Sequence, residues 1–217
     1  MNIDFARRQM IDQQVRAWTV LDPAVLDVLS SVPREDFVPA PYESMAFADT
    51  EVPLGHGEFM MTPTVEGRVL QALELDINGH VLEIGTGSGW ITACLSRLAK
   101  RVVSVELFED FSAAVARSLK EKEIENVELE TGDVMRGWQP EQAHDVLVVT
   151  GSVEAIPEQF RGWVNPGGRM FIVQGQAPAM EATLCTRLNV SDWREESLFE
   201  TDLPRLIHAE ALPEFEF

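Results

Sequence analysis

Basic residues are scarce in this chain. Across 217 residues, 17 Lys and Arg face 36 Asp and Glu, for a formal net charge of −19. Nucleic acids are held by cations that displace condensed counterions, and anionic bilayers attract polybasic segments. The balance therefore argues against both partners, and the charge serves solubility. Cysteine is almost absent. Cys94 and Cys185 stand far apart without metal-type spacing, which predicts buried thiols in a reducing compartment. His56, His80, His144 and His208 are scattered, so no metal cluster is expected. No apolar stretch of signal-peptide length opens the chain, and no run approaches the length of a membrane span. Repeats and low-complexity tracts are missing too. The expectation is a cytoplasmic protein of one α/β domain, residues 1–217.

What is present begins with helices. Phe5, Met10, Ile11, Val15 and Trp18 recur at helical intervals over residues 4–18. Asp22 and Pro23 open a second helix, as a cap and a first-turn residue. Residues 33–63 are punctuated by proline and lack clear periodicity. Their aromatic and Met content predicts an ordered segment lying across a ligand site. A helix over about 64–75 comes next. From residue 80 onward strands alternate with helices: strands at 80–84, 101–106, 127–130, 145–150 and 168–174, helices at 108–122 and near 154–163. That alternation predicts a parallel sheet covered on both faces. Residues 180–188 and 193–201 read as an antiparallel hairpin after it. Residues 213–217 are expected to fray.

The most informative stretch is His80-Val-Leu-Glu-Ile-Gly-Thr-Gly-Ser-Gly-Trp90. A strand ends in Glu83-Ile84, glycines stand at 85, 87 and 89, and an apolar helix starts at once. Glycine admits φ > 0 and a close approach of ligand to backbone, and a helix start offers unpaired N–H groups. The spacing is Gly-x-Gly-x-Gly, not the Gly-x-Gly-x-x-Gly of dinucleotide sites. Glu83 would repel a pyrophosphate and suit a sulfonium or amino group, which favours S-adenosyl-L-methionine over a dinucleotide. Glu83, Gly85, Thr86, Gly87, Ser88 and Gly89 are the first candidate cofactor contacts. The plain alternative is a turn whose glycines serve packing alone.

Ligands of open α/β sheets bind at the carboxyl ends of the strands. Glu106 ends the second strand and can accept both ribose hydroxyls. Gly132-Asp133 comes after the third, where Asp133 could accept from an adenine amino group with Gly132 giving the ring room. Thr150 ends the fourth, beside the reacting end of the ligand. Leu107 and Val134, next to the two carboxylates in the chain, complete the set. Glu106 could instead cap the following helix, and Asp133 could be a turn residue.

Four stretches then resemble one family: Val32-Pro-Arg-Glu-Asp-Phe-Val-Pro39, Val52-Pro-Leu-Gly-His-Gly57, Val81-Leu-Glu-Ile-Gly-Thr-Gly-Ser-Gly89 and Asn126-Val-Glu-Leu-Glu-Thr-Gly-Asp133. Asp145-Val-Leu-Val-Val-Thr150, Ile156-Pro157 and Gly167-Gly168-Arg169 agree. Over residues 5–175 the chain resembles the protein-L-isoaspartate O-methyltransferases, which are S-adenosyl-L-methionine-dependent. The resemblance implies a Rossmann-like, doubly wound, mostly parallel seven-stranded sheet with an antiparallel C-terminal strand. It implies N-terminal helices and a covering segment over residues 1–75, and a cofactor-binding core over 76–217. It also implies a monomer that methylates the carboxylate of isoaspartyl residues in proteins or peptides. An ionised carboxylate needs no general base, so no catalytic His or Cys is expected.

The chain departs from the family in one place. Where the family continues Gln-Thr-Ile-Ser-Gln-Pro, this chain has Glu58-Phe-Met-Met-Thr-Pro63. Met61 stands at the position of the family's active-site serine, and a thioether donates no hydrogen bond. Glu58 adds a negative charge where an anionic acceptor would bind. Thr62 is a candidate replacement hydroxyl, out of register, and Met61→Ser is expected to raise isoaspartyl activity. His56, Gly57, Glu58, Phe59, Met60 and Met61 are the candidate substrate contacts. Two other readings stay open here: a more apolar methyl acceptor, suggested by residues 59–61, or a cofactor-binding protein without catalysis.

Overall fold

The computed structural model describes residues 2–209; residues 213–217 lie outside that range. Its centre is a seven-stranded sheet in the order β5-β4-β3-β6-β7-β8-β9. The strands are β3 (His80–Ile84), β4 (Arg101–Glu106), β5 (Val127–Thr131), β6 (His144–Val153), β7 (Val164–Gln176), β8 (Ala179–Arg187) and β9 (Trp193–Thr201). The five from β3 to β7 run parallel, and the C-terminal hairpin supplies the antiparallel pairings. Alternation assigns the side chains to two cores. Val81, Val102, Val148 and Phe171 face one, and Leu82, Val103, Leu147 and Ile172 face the other. Burial on both faces explains why inner strands such as β3 and β6 are near-continuous runs of β-branched and aliphatic residues.

Helices cover the first face: α2 (Pro23–Ser31), α3 (Pro63–Leu73), α4 (Trp90–Leu98) and α5 (Glu109–Glu121) all contribute to its core. The second is covered by α6 (Glu158–Gly162), whose Phe160 packs with Trp163, and by the segment carrying Val134 and Trp138. The helix expected over 154–163 is thus shortened to five residues, because β6 runs on to Val153 and the N-cap falls at Pro157. The expected first helix divides into α1 (Ile3–Gln9), a π turn (Met10–Val15) and a 3₁₀ turn (Arg16–Trp18). The wider turn carries Met10, Ile11 and Val15 into the core.

The proline-punctuated segment is ordered. It contains two 3₁₀ turns (Arg34–Phe37 and Ala40–Met45) and a hairpin of β1 (Val52–Gly55) and β2 (Glu58–Met60). Strands this short, one holding Pro53, leave no alternation to read. Arg34 organises the segment from inside. Its Nε donates to Glu66 at 2.9 Å, Nη1 to the Ala46 carbonyl at 2.6 Å and Nη2 to the Met61 carbonyl at 2.7 Å. It also lies 5.4 Å over the Trp90 ring. A guanidinium this deeply buried is stable only with its donors satisfied, and here three distant stretches of the chain satisfy them.

Candidate cofactor and acceptor site

A cleft opens at the carboxyl ends of β3, β4 and β6, where ligands of open α/β sheets bind. Gly85 and Gly87 line it with φ of +91° and +53°. A Cβ on Gly85 would lie 2.3 Å from Thr150 Oγ1. That hydroxyl donates to the Ile84 and Gly85 carbonyls at 3.0 and 2.6 Å, so Thr150 clamps the turn from the next strand. Glu106 is fixed by two backbone donors: Gly87 N–H to Oε2 at 2.9 Å and Phe108 N–H to Oε1 at 3.0 Å. Each oxygen keeps a lone pair for a further donor. Asp133 accepts from Met135 N–H at 2.9 Å through Oδ1, while Oδ2 lies 2.6 Å from His208 Nδ1. Leu107 and Val134 line the same wall.

Four expected cofactor residues lie behind the wall. Glu83 is fully buried, and the hydroxyls of Thr92 and Ser104 meet its Oε2 at 2.6 and 2.5 Å. Burial pushes its carboxyl up to about 8, with the negative charge of Glu106 adding a smaller push. Burial thus favours the neutral form of Glu83, which lies behind the wall and not on it. The carboxylates on the wall are Glu58, Glu106 and Asp133. Thr86 bonds Ser104 at 2.6 Å, and Ser88 Oγ accepts from Trp90 N–H at 3.3 Å. A Cβ on Gly89 would meet Val115 at 2.5 Å, so this glycine serves helix packing. Gly132 does line the cleft, yet a Cβ there would strike Trp138 at 2.5 Å. The room it makes is filled by an indole whose Nε1 donates to Glu130 at 2.8 Å.

The acceptor side is built by the β1–β2 hairpin. His56 and Gly57 form its tip with φ of +53° and +86°. The His56 ring stacks on Phe108 at 4.1 Å and its Nε2 lies 3.0 Å from Asp110 Oδ2, which docks the hairpin on the start of α5. Glu58 and Phe59 line the cleft. Partial burial raises the Glu58 carboxyl above its ordinary value, and Glu106 reinforces this. Met60 and Met61 belong to the core. Thr62 Oγ1 caps α3 through Val65 N–H and bonds Thr64, whose hydroxyl donates to Asp49 at 2.7 Å. Sequence reasoning missed the opposite wall, made by residues 204–207 after the last strand. No periodicity marks that segment, since its place depends on pairing with the end of β6.

The topology and the cleft at the strand ends are those of the Rossmann-like α/β methyltransferases. A family model described as protein-L-isoaspartate(D-aspartate) O-methyltransferase matches residues 6–192, and the chain belongs to that family. It is 34% identical over 202 residues to protein-L-isoaspartate O-methyltransferase 1 of Rhodopseudomonas palustris, covering 93% of this chain and 82% of that one. It is 33% identical over 210 residues to protein-L-isoaspartate O-methyltransferase 2 of Pelobacter propionicus, covering 96% and 93%. Among solved structures, a Plasmodium falciparum beta-aspartate methyltransferase in complex with S-adenosyl-L-homocysteine superposes with a TM-score of 0.81. That likeness covers 96% of this chain and 99% of that one at 17% identity, and it speaks to the fold.

Proposed function

We propose that this chain transfers the methyl group of S-adenosyl-L-methionine to the side-chain carboxylate of L-isoaspartyl residues in proteins or peptides. The observation that carries the reading is Glu106, clamped by two backbone donors beside Gly85 and Gly87, in a chain of this family. The residues present fit the cofactor. The free lone pairs of Glu106 would take the ribose hydroxyls, and Asp133 would meet the adenine amino group at the oxygen now facing His208. Gly85 and Gly87 would let the ligand lie against the main chain. When bound, the cofactor supplies a methyl group on a positively charged sulfur. The protein's residues orient the acceptor in line with it and exclude water. The acceptor is already ionised at pH 7, so no side chain need take a proton.

We read residues 1–217 as a single domain, monomeric and cytoplasmic, acting on protein or peptide and not on nucleic acid or membrane. Two free, buried thiols and the net charge of −19 support this. No helix among the described residues is long and apolar enough to cross a membrane. Of the apolar acceptor surface expected at 59–61, Phe59 lies on the cleft while Met60 and Met61 are in the core. Labelled methyl transfer to an isoaspartyl peptide and to its aspartyl twin tests the proposal. Label should enter the isoaspartyl peptide alone. Tight S-adenosylhomocysteine binding with no transfer to either peptide would overturn it.

A further inference from the structure

The carboxylates on the wall of the cleft are not equally engaged. Glu106 is held by the Gly87 and Phe108 N–H groups, and Asp133 by Met135 N–H and His208. Glu58 lines the same wall, and its carboxyl makes no hydrogen bond among the described residues. The residue is half-buried, and neither of its carboxyl oxygens is sealed off. The hairpin fixes where that carboxyl stands. Glu58 pairs with Gly55 across the β1–β2 turn, and Leu54 beside it closes on the glycine turn: a Cβ on Gly87 would meet Leu54 Cδ1 at 3.3 Å. His56 anchors the tip on Phe108 and Asp110. Glu58 is thus held on the side of the cleft where Gly87 and Glu106 stand. Partial burial and then the charge of Glu106 raise its carboxyl, with His56 opposing. Arg205, the single Lys or Arg among the described residues on the wall, is tied to the Gly175 carbonyl at 2.8 Å.

We infer that Glu58 makes the cleft discriminate between the two forms of the cofactor, favouring the sulfonium of S-adenosyl-L-methionine over the uncharged thioether of S-adenosylhomocysteine. Glu58 takes this role on the methyl-transfer reading above, whichever acceptor takes the methyl group. Two like charges facing each other in a half-buried site destabilise each other, and a cation near both removes that cost. The two cofactor forms share their adenosine, ammonium and carboxylate; they differ by one methyl group and one positive charge. In a cleft walled by protein the effective dielectric lies well below that of bulk water, so Glu58 need not touch the sulfur to attract it. The spent form has lost that attraction. Glu58 therefore holds the cofactor that can react and releases the one that cannot. The attraction belongs to the ground state and weakens as positive charge leaves the sulfur, so it acts on cofactor affinity and product release. The Gln that the family carries at this position has no charge with which to do so.

The test is a set of binding titrations at about pH 8, where carboxylates are ionised, on the wild type, Glu58→Gln and Glu58→Asp. The ligands are S-adenosyl-L-methionine, S-adenosylhomocysteine and sinefungin, which carries a protonated amine where the cofactor has its S-methyl group. Melting temperature is read in parallel. Glu58→Gln should weaken S-adenosyl-L-methionine and sinefungin about fivefold, while S-adenosylhomocysteine stays within about twofold. Glu58→Asp should keep part of the preference. In turnover, the inhibition constant of S-adenosylhomocysteine relative to KM for the cofactor should fall by about the same factor. An unchanged ratio of the two cofactor affinities in Glu58→Gln would overturn the assignment and leave the proposed activity standing. An equal loss for all three ligands would put Glu58 on the shared ammonium or in the fold, and would overturn it too. So would a loss for S-adenosyl-L-methionine alone, which would make the contact one of shape. If the preference behaves as expected but no methyl reaches an isoaspartyl peptide, the assignment stands and the proposed activity falls. A wild type that binds none of the three ligands would remove both.

Discussion

Glu83 shows how far one residue's meaning depends on where it is buried. Its carboxyl, raised to about 8, holds a proton in the folded state that the unfolded chain releases near 4.5. The folded state binds more protons across that window, so stability falls as pH rises through it. Glu83→Gln does not titrate. Its melting temperature relative to wild type should therefore climb between about pH 5 and pH 9. A difference that stays flat over that range would show that Glu83 is ionised in the fold. Met61 makes a second case. Its place at the family's serine led to the expectation that Met61→Ser raises activity, but the residue is 6% exposed and packed in the core. Shortening it there and burying a hydroxyl should cost about 2–4 kcal/mol, read by urea denaturation. A loss below ~1 kcal/mol would mean the site is looser than this packing implies.

At the scale of elements, the segment between α2 and α3 depends on one buried ion pair more than on its own propensities. Arg34 and Glu66 are 0% and 2% exposed at the side chain, and burial raises Glu66 to about 7 even with Arg34 holding it down. Arg34→Met strands the Glu66 carboxyl and frees two carbonyls. The expected cost is about 3–5 kcal/mol, because breaking a buried pair leaves its remaining partner, and here two carbonyls as well, without a donor. Limited proteolysis should then cut within residues 35–62 before it cuts the sheet. Equal cleavage of wild type and variant would show that the hairpin and 3₁₀ turns hold without Arg34. The inner parallel strands, by contrast, were readable because they are mostly apolar on both faces, and the edge strand β5 because Val127 and Leu129 alternate with Glu128 and Glu130. The short hairpin was not, since Pro53 and Gly55 break any pattern over so few residues.

For the whole molecule, a net charge of −19 opposes the approach of an anionic acceptor. Added salt screens that field at distances beyond about 10 Å at 0.1 M. With an acidic isoaspartyl peptide, kcat/KM should rise about threefold as ionic strength goes from roughly 0.02 to 0.2 M. With a basic peptide it should fall. The same trend for both peptides would mean that long-range charge does not govern encounter. The C-terminal pass over the cleft belongs to this scale too. Residues 203–206 bond to Ser152, and His208 bonds to Asp133, joining parts of the chain 51 to 75 positions apart.

Hydrophobic periodicity and the spacing of three glycines were enough to determine the sheet, the cleft at its strand ends, and Glu106 and Asp133 on its wall. Those features are local: a strand, a turn and a helix start are set by neighbouring residues. Packing alone decided that Glu83 is a buried acid behind the cleft, that Met60 and Met61 fill the core, that Gly132 makes room for Trp138, and that residues 204–207 line the cleft. Each of these depends on contacts between segments far apart in the chain, which carry no signal until the fold brings them together.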